Sequence, residues 1–203
     1  KLGLRAGETI SVDDAIRALA TRSANDMAVA LAERVGGSET RFAALMTLRA
    51  QELGMSNTNF ANASGLPDSR QVSSARDIAI LSRAVMRDFP QYYNYFSLRS
   101  FQFRGQTINN HNRLMARMPE VDGLKTGFIS SSGFNLAASG VRYGHRVIAV
   151  VLGGSSGVAR DDNVQMLLTT GFDILRRRDQ GETIVATQNL FEGAPAAPAY
   201  PVG

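Results

Sequence analysis

The sequence has 203 residues, 44% hydrophobic and 20% charged, enough for one well-buried globular domain or a little more. It has no cysteine and only two histidines, His111 and His145, so disulfides, thiol nucleophiles and cysteine-ligated metals are excluded and no metal site is expected. The net charge of +4 is carried almost wholly by arginine, Lys1 and Lys125 being the only lysines, and no basic stripe alternates with aromatics as nucleic-acid binding would require.

The first half reads as helical. Ser11 with Asp14 makes a capping-box-like start, and Val12, Ala15, Ile16 and Leu19 follow at helical spacing. A break is expected over residues 21–25, then a short helix through Leu31 that is stopped at Gly36-Gly37. Ser38 opens a longer helix, with Phe42, Leu45, Met46 and Leu53 predicted on its buried face and Gly54 beyond its end. Residues 56–72 are polar, contain Gly65 and Pro67, and read as an ordered loop. Ser74 with Asp77 caps a further helix carrying Ile78, Leu81 and Val85, which must end before Pro90.

The second half changes character. Phe101 and Phe103 alternate with polar residues before Gly105, which predicts a hairpin over residues 100–108. The β-rich runs 133–141 and 146–152, joined by Arg142-Tyr143-Gly144-His145, predict a second hairpin. The longest apolar stretch, 147–152, falls far short of the roughly 18 residues of a membrane span. Val164, Leu167, Leu168, Gly171, Phe172 and Leu175 mark a helix able to lie on the sheet, with Arg176-Arg177-Arg178 complementing the dipole at its end. The Ala/Pro-rich stretch 193–203 suggests a tail or linker. Helices first and strands later imply an α+β domain with a helical subdomain.

Three short patterns carry chemistry. Ser23-Ala24-Asn25 falls at a helix break, where a hydroxyl and a carboxamide can face one cleft; the alternative is that Ser23 or Asn25 merely caps the next helix. Asp122-Gly123-Leu124-Lys125-Thr126-Gly127 has the wrong glycine order for a phosphate-binding loop. On a strand edge, its Lys-Thr-Gly offers a cation, a hydroxyl and open backbone to a substrate carboxylate and carbonyl; the alternative is an exposed turn lysine. In Phe60-Ala61-Asn62-Ala63-Ser64-Gly65-Leu66-Pro67, Asn62 can bond its own backbone and Gly65 can take positive φ, which alone describes an ordered turn.

In combination, and in this order, these patterns resemble the low-molecular-mass penicillin-binding proteins, serine D-alanyl-D-alanine carboxypeptidases with the penicillin-binding/serine β-lactamase fold. Gly133-Phe134-Asn135-Leu136 adds to the likeness, which runs from Lys1 to about Leu175. The resemblance implies an antiparallel sheet flanked by helices, a catalytic domain over residues 1–178 and a C-terminal extension over 179–203. It implies removal of the terminal D-alanine from a peptidoglycan stem peptide through a serine acyl-enzyme, inhibition by β-lactams, no cofactor, and a periplasmic or other extracytoplasmic location. By the same resemblance Ser23 relays protons beside a reactive lysine, Asn25 binds the peptide amide and Lys125 supplies positive potential. Thr126 bonds the substrate carboxylate, Gly127 lets substrate reach the backbone, and the Phe128 N–H is an oxyanion donor. Arg160 falls where such enzymes place a carboxylate-binding arginine, unless it is a surface arginine paired with Asp161 or Asp162. His111 lines the cleft.

The sequence departs from the family at one point. No serine stands three residues before a lysine; Asp122 occupies that place before Lys125. The family sets its Ser-x-x-Lys nucleophile motif tens of residues before Ser-x-Asn, so the expectation is a domain without its N-terminal part, completed by a companion N-terminal segment, with any membrane association made through parts not in this chain. No Glu-x-x-Leu-Asn element is present, which argues against a class A β-lactamase. A D,D-endopeptidase, or a non-catalytic wall-binding scaffold, would use the same cleft residues.

Overall fold

The computed structural model describes residues 1–184, so most of the expected C-terminal extension lies outside the described residues. The element order is α1 (Val12–Arg22), α2 (Asn25–Gly36), α3 (Glu39–Glu52), α4 (Ala75–Asp88), α5 (Asn94–Ser97), β1 (Ser100–Phe103), β2 (Gln106–Asn109), α6 (Leu114–Arg117), β3 (Val121–Ile129), β4 (Gly133–Arg142), β5 (His145–Gly154) and α7 (Gly157–Asp179). This is the α+β arrangement expected, with an antiparallel sheet in the order β3-β4-β5 and a separate β1-β2 hairpin.

Local sequence explains most of the boundaries. Ser11, Ser38, Ser74 and Ser156 each accept a hydrogen bond from an amide in the first turn of α1, α3, α4 and α7, satisfying a donor the helix leaves open. Both hairpins turn through a residue and a glycine at positive φ, Arg104-Gly105 and Tyr143-Gly144, the backbone that matches strand twist in two-residue turns. In the loop 56–72, Gly65 takes φ 83° and donates its N–H to Asn62 Oδ1 at 2.8 Å, as the sequence suggested. The loop is tethered by Asp77 on α4, whose buried Oδ2 accepts from the Asn57 N–H and the Thr58 hydroxyl.

The sheet is covered on both faces. On one side α7 buries Val164, Leu168 and Phe172 against Leu136, Ala138 and Ala149, with Leu114 and Met115 of α6. Gly171 permits this approach, since a Cβ there would lie 2.9 Å from Val147 Cγ1. On the other face Tyr93, Leu124 and Ala137 pack with Ile78, Val85 and Phe96 from α4 and α5. A third cluster joins α1 and α2 to the β1-β2 hairpin through Ala15, Ala18, Ala24, Met27 and Phe101.

Two expectations require correction. The break before α2 spans only Ser23 and Ala24; the helix, with Met27, Ala28 and Ala32 buried, runs beyond Leu31 and stops at the expected Gly36-Gly37 pair, where Gly37 is left-handed. On α3 the buried residues are Ala43 and Ala50, while Leu45 remains 45% exposed. Helix packing here is set by close approach of small side chains: a Cβ on Gly36 would lie 2.8 Å from Phe42 Cβ. Phe42 and Met46 are half-buried, and Leu45 and Leu48 are turned outward.

Candidate active site

The backbone at Ser23 is built for a purpose other than continuing a helix. Ser23 ends α1 at φ 53° and ψ 49°, with its N–H on the Leu19 carbonyl. A left-handed non-glycine residue costs roughly 1–2 kcal/mol, and such strain is concentrated at functional positions. Ala24 is fully buried behind it, and Asn25 begins α2. The capping alternative fails, because α2 has no side-chain cap. Its first-turn Asp26 instead accepts from the Met27, Leu2 and Gly3 amides. The half-buried Asn25 carboxamide makes no hydrogen bond among the described residues, so it is open to a ligand.

Lys125 lies in β3, the edge strand of the sheet, and directly opposite Ala137 of β4. It is not an exposed turn lysine. Its Nζ donates to Ser23 Oγ and, at 2.7 Å, to the Thr126 carbonyl. Burial lowers its pKa from 10.5 to about 8, and no carboxylate pairs with it among the described residues. A desolvated amine of that pKa, in contact with a hydroxyl, exchanges protons readily near neutral pH.

Along an edge strand, alternate residues turn their N–H and C=O away from the partner strand. The Thr126 carbonyl receives Lys125, and the period of two gives Phe128 the same backbone orientation as Thr126. The Phe128 ring is 57% exposed and rests 4.4 Å from Phe134. Gly127 between them is also exposed, leaving the strand backbone accessible.

His111 approaches from the segment before α6. Its N–H donates to the carbonyl of the buried Thr21, which places residues 110–112 against the end of the helix that carries Ser23. Partial burial and then the Arg22, Lys125 and Arg113 cations lower its pKa, so the ring is neutral at physiological pH. Arg160 is neither at the surface nor fully free. It is 7% exposed in the first turn of α7 and gives Nε and one Nη to Asp161 Oδ1 at 2.9 and 2.8 Å. It sits where Gly154 of β5 pairs with Phe134; a Cβ on Gly154 would lie 3.0 Å from Arg160 Cβ.

The structure thus brings Ser23, Lys125 and Thr126 into direct contact, sets His111 within their electrostatic reach, and extends the same edge through Gly127 and Phe128. Arg160 stands apart, already held by Asp161. The sequence reading missed a polar group behind Lys125. The Tyr93 hydroxyl and the Arg146 guanidinium both donate to the Asp122 carboxylate at 2.9 Å. The aromatic run Tyr92-Tyr93-Asn94-Tyr95-Phe96 after Pro90 was the available signal.

The D-alanyl-D-alanine carboxypeptidase family matches residues 1–156. The chain is 40% identical to Escherichia coli D-alanyl-D-alanine carboxypeptidase DacD over 194 residues, covering 94% of this chain and 50% of that protein. Penicillin-binding protein 5 from Haemophilus influenzae superposes with TM-score 0.82 at 38% identity, covering 85% of this chain and 51% of the other. Penicillin-binding protein D2 from Listeria monocytogenes, solved in a cefotaxime-bound form, superposes with TM-score 0.76 at 33% identity, covering 81% and 68%. The chain spans about half the length of the curated relatives it matches.

Proposed function

The chain belongs to the D-alanyl-D-alanine carboxypeptidase family, and from that premise we propose that its protein removes the terminal D-alanine from peptidoglycan stem peptides, outside the cytoplasmic membrane, through a serine acyl-enzyme that β-lactams also form. Residues 1–178 belong to its catalytic domain, and the nucleophilic serine comes from outside these 203 residues, since no Ser-x-x-Lys occurs among them. No helix among the described residues is long and apolar enough to cross a membrane.

The observation that carries this reading is the contact between Ser23 and a half-buried Lys125 whose pKa desolvation lowers to about 8. In the proposed reaction the serine Oγ attacks the carbonyl of the penultimate D-alanine. Its hydroxyl proton leaves to a base, an O–C bond forms, and negative charge collects on the carbonyl oxygen near the Phe128 N–H. The C–N bond then breaks, and the departing amine takes a proton from the Ser23–Lys125 pair. Water subsequently cleaves the ester. Asn25 holds the peptide amide, Thr126 the substrate carboxylate, and the Arg160 nitrogen not engaged by Asp161 adds charge at that end.

The test is intact-mass and peptide mapping of the full-length protein after exposure to a labelled penicillin. One adduct is expected, on a serine outside residues 1–203, and Lys125→Ala should slow its formation roughly a hundredfold. No adduct, or an adduct on one of these residues, would overturn the proposal.

A further inference from the structure

Ser23 and Lys125 come from different layers of the fold, so something must fix the distance between them. Lys125 follows an irregularity in β3. Val121 pairs with Gly140 but Gly123 pairs with Ser139, leaving Asp122 as the extra residue of a bulge. A bulge re-registers everything beyond it, so its position decides which side chain of β3 meets Ser23.

Asp122 is held from three sides. Tyr93 and Arg146 donate to its carboxylate, Ser97 donates to its carbonyl, and Arg146 also reaches the Ser139 hydroxyl of β4 at 2.7 Å. The Arg146 guanidinium lies 5.4 Å from the centre of the Tyr93 ring. Gly123 has no side chain because the Tyr93 hydroxyl fills that space: a Cβ would lie 2.7 Å from it. Two residues on from Tyr93, the Tyr95 hydroxyl donates to Asp13 of α1, and Arg17 of α1 covers the Tyr95 ring at 5.7 Å. One short segment therefore grips both the helix that ends in Ser23 and the strand that carries Lys125.

We infer that residues 93–97 form a brace, with Tyr93, Asp122 and Arg146 as positioning residues that hold the β3 bulge and so seat Lys125 against Ser23. The inference rests on the function proposed above for what the seat is used for, but not for its existence. With the brace intact Lys125 stays desolvated. When Asp122 is released the strand relaxes, water reaches Nζ, and the amine returns toward its ordinary basicity. Lys125 shares the field at His111 with Arg22, Arg113 and the N-terminal ammonium, and the substitutions below leave those groups unchanged.

The experiment uses the full-length protein with Tyr93→Phe, Asp122→Asn and Lys125→Ala. Two quantities are read: the titration of Lys125 by NMR of isotope-labelled lysine, assigned with Lys125→Ala, and the rate of acylation by a fluorescent penicillin against pH. Tyr93→Phe and Asp122→Asn should each raise the Lys125 midpoint by about one pH unit, slow acylation roughly tenfold, and move the alkaline limb of the rate profile upward in step. A variant merely less stable would lose amplitude without moving either midpoint. If both variants fold and keep the wild-type midpoint, the brace is refuted. If the midpoint moves but Lys125→Ala acylates at the normal rate, the brace stands and the proposed function falls. Should Asp122→Asn not fold, Tyr93→Phe decides alone, as it removes a single oxygen.

Discussion

Replacing Lys125 with an apolar residue should make the protein more stable at neutral pH while it slows acylation roughly a hundredfold. Burial takes the ammonium from an ordinary pKa of 10.5 to about 8 without a carboxylate to compensate. Below pH 8 the amine is charged in both folded and unfolded chains, and the folded chain bears the full cost of desolvation. At 1.36 kcal/mol per pH unit, that cost is roughly 3 kcal/mol. Between pH 8 and 10.5 the unfolded chain binds more protons than the folded one, so stability rises with pH across this window and levels off above it. Lys125→Met keeps the length of the side chain and removes the charge, but leaves the Ser23 hydroxyl without its partner, a loss of about 1 kcal/mol. The net expectation is a gain of about 2 kcal/mol at pH 7, turning into a loss of about 1 kcal/mol by about pH 10.5, where wild type has shed its own proton and only the missing hydrogen bond counts. Urea unfolding of both full-length proteins at pH 7 and at the alkaline end would measure it. A Lys125→Met variant destabilised at pH 7, or a stability difference that does not depend on pH, would show that Lys125 is not a desolvated cation in the folded protein.

The strain at Ser23 gives a second expectation. Ser23→Gly and Ser23→Ala remove the same hydroxyl, but only glycine relieves φ 53°, so the glycine variant should be more stable in urea by about 1 kcal/mol. Arg160→Ala should cost ten- to a hundredfold in kcat/KM on a peptide ending in D-Ala-D-Ala and remove most of the preference over its C-terminal amide, with lysine rescuing only in part. A mutant that retains the full preference would leave carboxylate recognition to Lys125 and Thr126. Phe172→Ala, at a side chain with no exposed surface between α7 and the sheet, should lower stability by about 3–5 kcal/mol in denaturant titration and leave the Lys125 midpoint unmoved.

What the sequence made legible was whatever depends on neighbours along the chain. Serine caps, the glycine turns and the apolar period of α7 are local devices, and each appears where its residues placed it. The same holds for Asn62 closing its own turn on Gly65. The buried face of α3 was misread because hydrophobicity says which residues gain from burial, not which can be reached. With alanines at the α2 contact and Gly36 packed on Phe42, the bulkier Leu45 has no seat. The site divides along the same line. Ser23 and Lys125 could be singled out as residue types in suggestive patterns, yet their contact bridges 102 positions, and the aromatic run that holds Tyr93 and Tyr95 does not by itself say which strand and helix they grip. Arg160 shows the limit most plainly. It lies inside the first turn of α7, and its burial and its pairing with Asp161 go with how closely Gly154 lets the start of α7 approach the sheet. A guanidinium held in this way has little freedom to search for a carboxylate, so whatever selectivity it confers must come from the one Nη group that Asp161 leaves open.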